Sequence, residues 1–253
     1  MKITILTLFP KMIAGFIEES IIKRAQDKNL VEIEVADLRS FAKDSYGSVD
    51  DKPYGGGAGM VMRVDVLHDA LTKIKEQSAK SKDVKVILTS AKGRTFNQKK
   101  AEELLKLEHL VILAGHYEGV DERIMQEIDE EISLGDFVMT GGEIPAASIV
   151  DAVVRLIPGV LEKESATKEE SFFEVDIDEL LRLIGDDKKL KGLQEKGLKT
   201  VRLLEYPHYT RPEEFQGKEV PEVLLSGDHK KIQEWRLKKA YEETVKKRPD
   251  LLS

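Results

Sequence analysis

Cysteine is absent from the 253 residues, which excludes disulfides, thiol catalysis and cysteine-bound zinc. The five histidines, His68, His109, His116, His208 and His229, are scattered without metal-ligand spacing. No apolar run approaches the roughly 18 residues that a membrane span requires. The opening MKITILTLFPKM is too short an apolar run for a secretory signal and lacks a small-residue cleavage site. These absences predict a cytoplasmic protein with no membrane partner. Tryptophan occurs once, and the apolar residues around Trp235 (Ile232, Ala240, Tyr241, Val245) favour core packing over base stacking. A formal net charge of −7 argues against a surface that coats nucleic acid broadly. That charge is unevenly spread. Residues 230–248 carry eight cations against three acids, which suits contact with a limited piece of RNA or, equally, a solvated helix face.

What is present alternates. Residues 3–8, 31–37, 84–89 and 110–114 read as strands, and residues 132–139 as a further apolar, strand-like run. Between them lie a helix with Ile13, Phe16, Ile17, Ile21 and Ala25 on one stripe, one carrying Val66, Leu67, Ala70, Leu71 and Ile74, and one opening at the N-cap Asn97. This order predicts an α/β fold, a mostly parallel sheet with helices on both faces. A further helix over residues 146–157 stops at Pro158-Gly159. The polar, aperiodic segment that follows reads as a mobile linker, and beyond it two helical patterns predict a small helical domain.

Glycine and acid concentrate where chemistry is expected. Gly115, Gly119, Gly135, Gly141 and Gly142 stand beside Glu118, Asp121, Glu122, Arg123 and Asp136, in loops that follow strands. Glycine lets backbone approach a ligand closely. A second cluster, Gly55, Gly56, Gly57 and Gly59, follows Asp50 and Asp51, whose carboxylates suit the N1–H and N2–H₂ edge of guanine. No Gly-Lys-Ser/Thr ends that loop, so it is not a P-loop. No Gly-x-Gly-x-x-Gly follows the first strand, which excludes an ordinary dinucleotide-binding fold.

Six segments, VDDKPYGGGAGMVM, AGHYEGVDER, EISLGDFVMTGGEIPA, RLIPGVL, EYPHYTRPEEF and VPEVLLSGDH, occur in order along nearly the whole chain. In these the chain resembles the bacterial tRNA (guanine-N1)-methyltransferase family, of the knotted SPOUT class. The resemblance implies a deep trefoil knot late in the sheet domain, although true knots are rare among proteins. It implies S-adenosylmethionine held bent in the knot loops, with Mg²⁺ assisting. A homodimer is implied too, each active site built from both chains, and a target guanosine at position 37 of tRNA, next to the anticodon. Residues 1–160 become the knotted S-adenosylmethionine-binding domain, 161–172 the linker and 173–253 a helical tRNA-binding domain.

Carried over by motif, Gly115, Leu134, Gly135, Asp136, Phe137, Val138 and Met139 match cofactor-contacting positions. Tyr117, Glu118, Gly141, Gly142 and Pro145 share those motifs and line the same pocket. Arg155 matches the family's essential arginine, and Glu170 the acid that serves as general base. Asp50, Gly59 and Ser171 are the substrate-side candidates. The chain departs from the family pattern in three places. Glu170, with Glu169 adjoining as the alternative base, stands where an aspartate is usual. Ser90-Ala91-Lys92-Gly93 replaces Ser/Cys-Pro-Gln-Gly, and Ala58 a frequent proline. Neutral guanine N1 carries a proton, so a carboxylate to remove it and a cation to steady charge on O6 suit the reaction. Two other functions stay open: a knotted RNA methyltransferase acting on another nucleotide, and a non-catalytic RNA-binding protein. For Arg155 the plainer role is to complement a helix dipole and pair with Asp151.

Overall fold

In the computed structural model, which describes residues 1–79, 81–162 and 170–252, the opening apolar run forms strand β1 (Lys2–Thr7). The single helix expected next is two, α1 (Pro10–Ile17) and α2 (Ser20–Asp27). Glu19 is extended and Ser20 takes φ +53°, so the hydrogen-bond ladder breaks although the apolar stripe continues across it. Strand β2 (Glu32–Asp37) follows, then a short hairpin of β3 (Asp50–Asp51) and β4 (Val61–Met62) that brackets the Gly-rich loop. Helix α3 (Val64–Gln77), strand β5 (Val84–Thr95) and helix α4 (Gln98–Leu104) come next. Asn97 caps α4 as expected, its side chain accepting from Lys100 N at 3.0 Å. Strands β6 (His109–Ala114) and β7 (Glu130–Ser133) and helix α5 (Glu143–Val154) complete the first of two compact units, Met1–Glu162.

All five long strands are parallel, in the order β2-β1-β6-β5-β7. Alternate residues point to opposite faces. Ile3, Ile5, Ile87, Leu110 and Ile112 pack with α1, α2, α4 and α5, whereas Leu6, Val86, Leu88, Val111 and Leu113 pack with α3. Burial on both faces explains why these strands read as continuous apolar runs. The run expected over 132–139 is strand only to Ser133, and the rest is loop. Strand β5 runs past its expected end to Thr95, with its pairing to β7 shifted between Thr89 and Arg94. A Cβ on Gly93 would lie 2.5 Å from the Glu131 carbonyl carbon, so β7 passes where a side chain would stand.

His109, 2% exposed, opens β6 and joins it to β1 and α3. Ser78 Oγ donates to Ile74 O at 2.6 Å, so it accepts from His109 Nδ1, and Thr4 Oγ1 then donates to Nε2 at 2.8 Å. Burial, with the charge of Lys2 behind it, lowers the imidazole's pKa. Below the unfolded histidine's value of about 6.5 the unfolded chain binds a proton that the folded chain resists, so stability falls as pH drops through that range. Urea midpoints at pH 7.5 and 5.5 should show this loss, and His109→Gln should shrink it.

The second unit, Lys163–Ser253, has its own core of Val175, Leu180, Leu190, Leu203 and Tyr241 among others. It pairs β8 (Phe173–Asp176) antiparallel with β9 (Thr200–Leu203) and carries α6 (Ile177–Ile184) and α7 (Lys188–Glu195). A small hairpin of β10 (Glu214–Phe215) and β11 (Lys218–Glu219), then α8 (Glu222–Leu225) and α9 (His229–Lys247), complete it. The helical content was expected, the β8–β9 pair was not. Ala240 and Tyr241 do enter the core, but Trp235 does not. It is half-buried with its ring 6.2 Å from Tyr209, because it lies on a different face of α9.

Candidate active site

Ligands in open α/β sheets sit beyond the carboxyl ends of the strands. Here the end of β6 and the loop before α5 are tied together by Thr89, near the middle of β5. Its hydroxyl accepts from Gly115 N at 3.2 Å and lies 3.3 Å and 3.4 Å from the carbonyls of Leu113 and Gly142. Gly142 N donates to Gly115 O at 2.6 Å, and His116 bridges to Gly141. The loop after β6 and the loop after β7 therefore meet with no room for side chains. A Cβ on Gly142 would lie 2.6 Å from Gly115 N, and one on Gly115 2.8 Å from Thr89 O. Around this crossing is a cavity of 380 Å³.

Of the expected cofactor residues, Gly115, Tyr117, Glu118, Leu134, Phe137, Val138, Met139, Gly141, Gly142 and Pro145 line that cavity. Gly135 and Asp136 lie in the same loop but outside the lining, with Asp136 turned to solvent. Ser90, Ala91 and Lys92 form another part of the wall. Tyr117 holds φ +58°, a conformation that non-glycine residues adopt mainly at functional sites and turns. Nearby Asp121 and Arg123 engage each other: the carboxylate accepts from Arg123 Nε at 2.9 Å and Nη2 at 2.7 Å. The guanidinium holds that carboxyl below the usual carboxylate range.

The Gly-rich loop is fastened to the same region. Met62 N donates to Gly119 O and Glu118 N to Met60 O, at 2.9 Å and 3.0 Å. Gly59, at φ +83°, packs directly under the Glu118 side chain, where a Cβ would collide with it. Asp50 sits opposite Met62 in the hairpin. Tyr54, at the loop tip, is fully exposed.

Arg155 caps the C-terminus of α5, half-buried, in the first unit. Glu170 and Ser171 belong to the second. Glu170 O accepts from Phe173 N at 3.1 Å, and Ser171 Oγ accepts from Glu205 N at 3.2 Å, ahead of β8. Most of the linker expected over 161–172, including Glu169, lies outside the described residues. Among the described residues, no group of three or more acids and histidines is arranged to hold a metal ion, and no helix is long and apolar enough to cross a membrane.

The sequence assigned no role to four residues here: Thr89, which ties the end of β6 to the loop before α5, and the set Thr7, His116 and Glu143. Glu143 reads as an ordinary first-turn acid. Only its place directly after two glycines hinted otherwise.

A parallel sheet ending in such a cradle places the chain among the α/β proteins that hold a nucleotide-type cofactor at their strand ends. Its kinship is narrower than that. Over residues 1–253 the chain matches the family described as tRNA (Guanine-1)-methyltransferase TrmD, and it belongs to that family. A relative from Dictyoglomus turgidum, named tRNA (guanine-N(1)-)-methyltransferase, is 48% identical over 252 residues, 100% of this chain and 90% of its own length. Relatives of the same name from Bacillus subtilis and Endomicrobium trichonymphae are 45% and 44% identical, each across 100% of this chain and 92% and 99% of their own. The methyl donor of such an enzyme, S-adenosylmethionine, fits these residues. The cavity falls within the range of about 300–1,000 Å³ usual for ligands of this size. Its glycine walls expose backbone N–H and C=O groups, Leu134 and Pro145 offer apolar surface, and Glu118 and Glu122 offer negative charge to a cationic ligand.

Proposed function

We propose that this protein methylates N1 of guanosine 37 in tRNA, next to the anticodon, using S-adenosylmethionine. Family membership carries the broader part, guanine-N1 methylation of tRNA. The glycine cradle at the Gly115–Gly142 contact carries the use of the donor, because a protein that merely bound RNA has no need of it. When bound, S-adenosylmethionine supplies a methyl group on a sulfonium. The chain's residues do the rest. Glu118 and the backbone of residues 115–118 and 134–142 hold the donor. Glu170 removes the N1 proton, and Arg155 donates to O6 with a charge that cannot titrate away. Asp50, Gly59 and Ser171 contact the RNA.

Threading of the late sheet domain into a trefoil knot is supported by the way residues 134–142 return across the end of β6. Homodimerisation is supported by the exposed Phe137 and Val138, 56% and 89% accessible beside the cavity. The second unit serves tRNA binding, with the basic α9 as its cationic surface. The tRNA substrate makes the cytoplasm the place of action. The described residues assemble no ligand set for Mg²⁺.

The test is methyl transfer to an anticodon stem-loop carrying guanosine at 37, beside the same RNA with adenosine there. Labelling should be confined to the first. Equal labelling would remove the position-37 assignment, and failure to bind S-adenosylmethionine would leave only an RNA-binding protein.

A further inference from the structure

Beneath the cavity wall lies a carboxylate that the reaction above does not use. Glu143, the first residue of α5, is 0% exposed. Thr7 Oγ1 accepts the Phe9 N–H at 2.9 Å, which leaves its single hydroxyl hydrogen for Glu143 Oε1, 2.8 Å away. Among the described residues Glu143 Oε2 has no hydrogen-bond partner, and neither has Nδ1 of His116, 3.5 Å from it. Two buried polar atoms face each other across that gap, and leaving both unpaired is expensive. A proton shared between them satisfies both.

The imidazole is also restrained on its other sides. The Phe9 ring centroid is 4.8 Å away, and the Tyr117 ring stands edge-on at 4.8 Å. His116 lines the cavity and bridges through its backbone to Gly141. A Cβ on Gly141 would lie 2.5 Å from Glu143 Oε2, so the carboxylate packs against the very crossing that forms the cradle.

We propose that Glu143 is a positioning residue for the methyl donor: its Oε2 takes the Nδ1–H of His116, fixing the imidazole's tautomer and orientation and with them the cavity wall at residues 115–118. Nε2 is then left without a hydrogen, so the ring offers the cavity an acceptor suited to a ligand amino group. Thr7 anchors the carboxylate from β1, which couples the end of the first strand to the donor site. This inference rests on the methyltransferase reading of the cavity.

The tautomer is readable in the unliganded protein by ¹⁵N imidazole NMR, with the His116 signal assigned by its loss in His116→Asn. Nδ1–H is expected in the natural protein and Nε2–H in Glu143→Met, which removes the acceptor and fills its space. Calorimetry should find S-adenosylmethionine bound about tenfold more weakly by Glu143→Met, the effect of one lost buried hydrogen bond. The rate at saturating donor should stay within about twofold, since the residue acts on binding. An Nε2–H tautomer in the natural protein overturns the proposal, and this needs no variant to fold. So does equal donor affinity in the two proteins. Absence of donor binding to the natural protein would overturn the methyltransferase reading itself, a distinct result.

Discussion

Glu170→Ala should slow methyl transfer by about 10²–10⁴-fold, the usual contribution of a positioned general base, while leaving S-adenosylmethionine binding unchanged. The split follows from the division of labour. The cavity proposed for the donor is lined, among the described residues, by the first unit alone, and Glu170 lies in the second. Guanine N1 attacks only once its proton is gone, so the loss falls on the rate at saturating substrates. Glutamate in place of the usual aspartate changes the reference acidity little, about 4.3 against 3.9. The longer side chain matters more, because a displacement of about 1 Å can cost on the order of 10²-fold unless the backbone compensates. Glu169→Ala is the control. It should remain active, and the reverse pattern, an inactive Glu169→Ala beside an active Glu170→Ala, would move the base to Glu169.

Gly142→Ala should weaken S-adenosylmethionine binding by about 10²-fold or more. The new methyl would meet Gly115 N at 2.6 Å and Gly115 O at 2.9 Å, as well as the Thr89 hydroxyl. The Gly115 atoms are backbone and the Thr89 side chain is buried and hydrogen-bonded, so no flexible tip can swing aside. The loops must part, breaking the 2.6 Å bond from Gly142 N to Gly115 O and misplacing the cavity wall by an amount to which binding is steeply sensitive. Gly142 has φ −86°, so backbone strain plays no part and the effect is steric. Gly192→Ala is the matching control, lying within α7 with nothing within 4 Å of the added atom. It should bind the donor normally and gain up to about 1 kcal/mol of stability. Donor affinity within threefold of normal in Gly142→Ala would mean that these loops do not form the site.

Strands β1, β2 and β6 and helices α3 and α4 were legible because each carries one unambiguous period or an uninterrupted apolar run. Their buried residues are those the pattern picks out, such as Val66, Leu67, Ala70, Leu71 and Ile74 in α3. The failures are physical as well. Leu134, Phe137, Val138 and Met139 are apolar yet lie in a loop, with Val138 89% exposed, because they border a cavity rather than a core. Residues 13–25 keep one apolar stripe across two helices, since periodicity does not register a single residue at positive φ. The β8–β9 pair is too short and too polar to declare itself. At the site, glycine density marked the cradle well, because close backbone approach leaves no alternative residue. Thr89 and Glu143 were missed, since a buried hydroxyl or carboxylate looks in sequence like any exposed one.

The register of β1 bears on how the chain matures on the ribosome. Lys2 pairs with His109, so one edge of β1 finds its neighbour only after about a hundred further residues are made. At about 5–20 residues per second, translation leaves that edge unmatched for about 5–20 s, with β2 available on the other side. During this interval the nascent polypeptide exposes an apolar ribbon with free backbone groups, the kind of surface that invites aggregation or a chaperone. Slowing elongation between β2 and β6 should therefore lower the yield of native protein more than slowing it after β7.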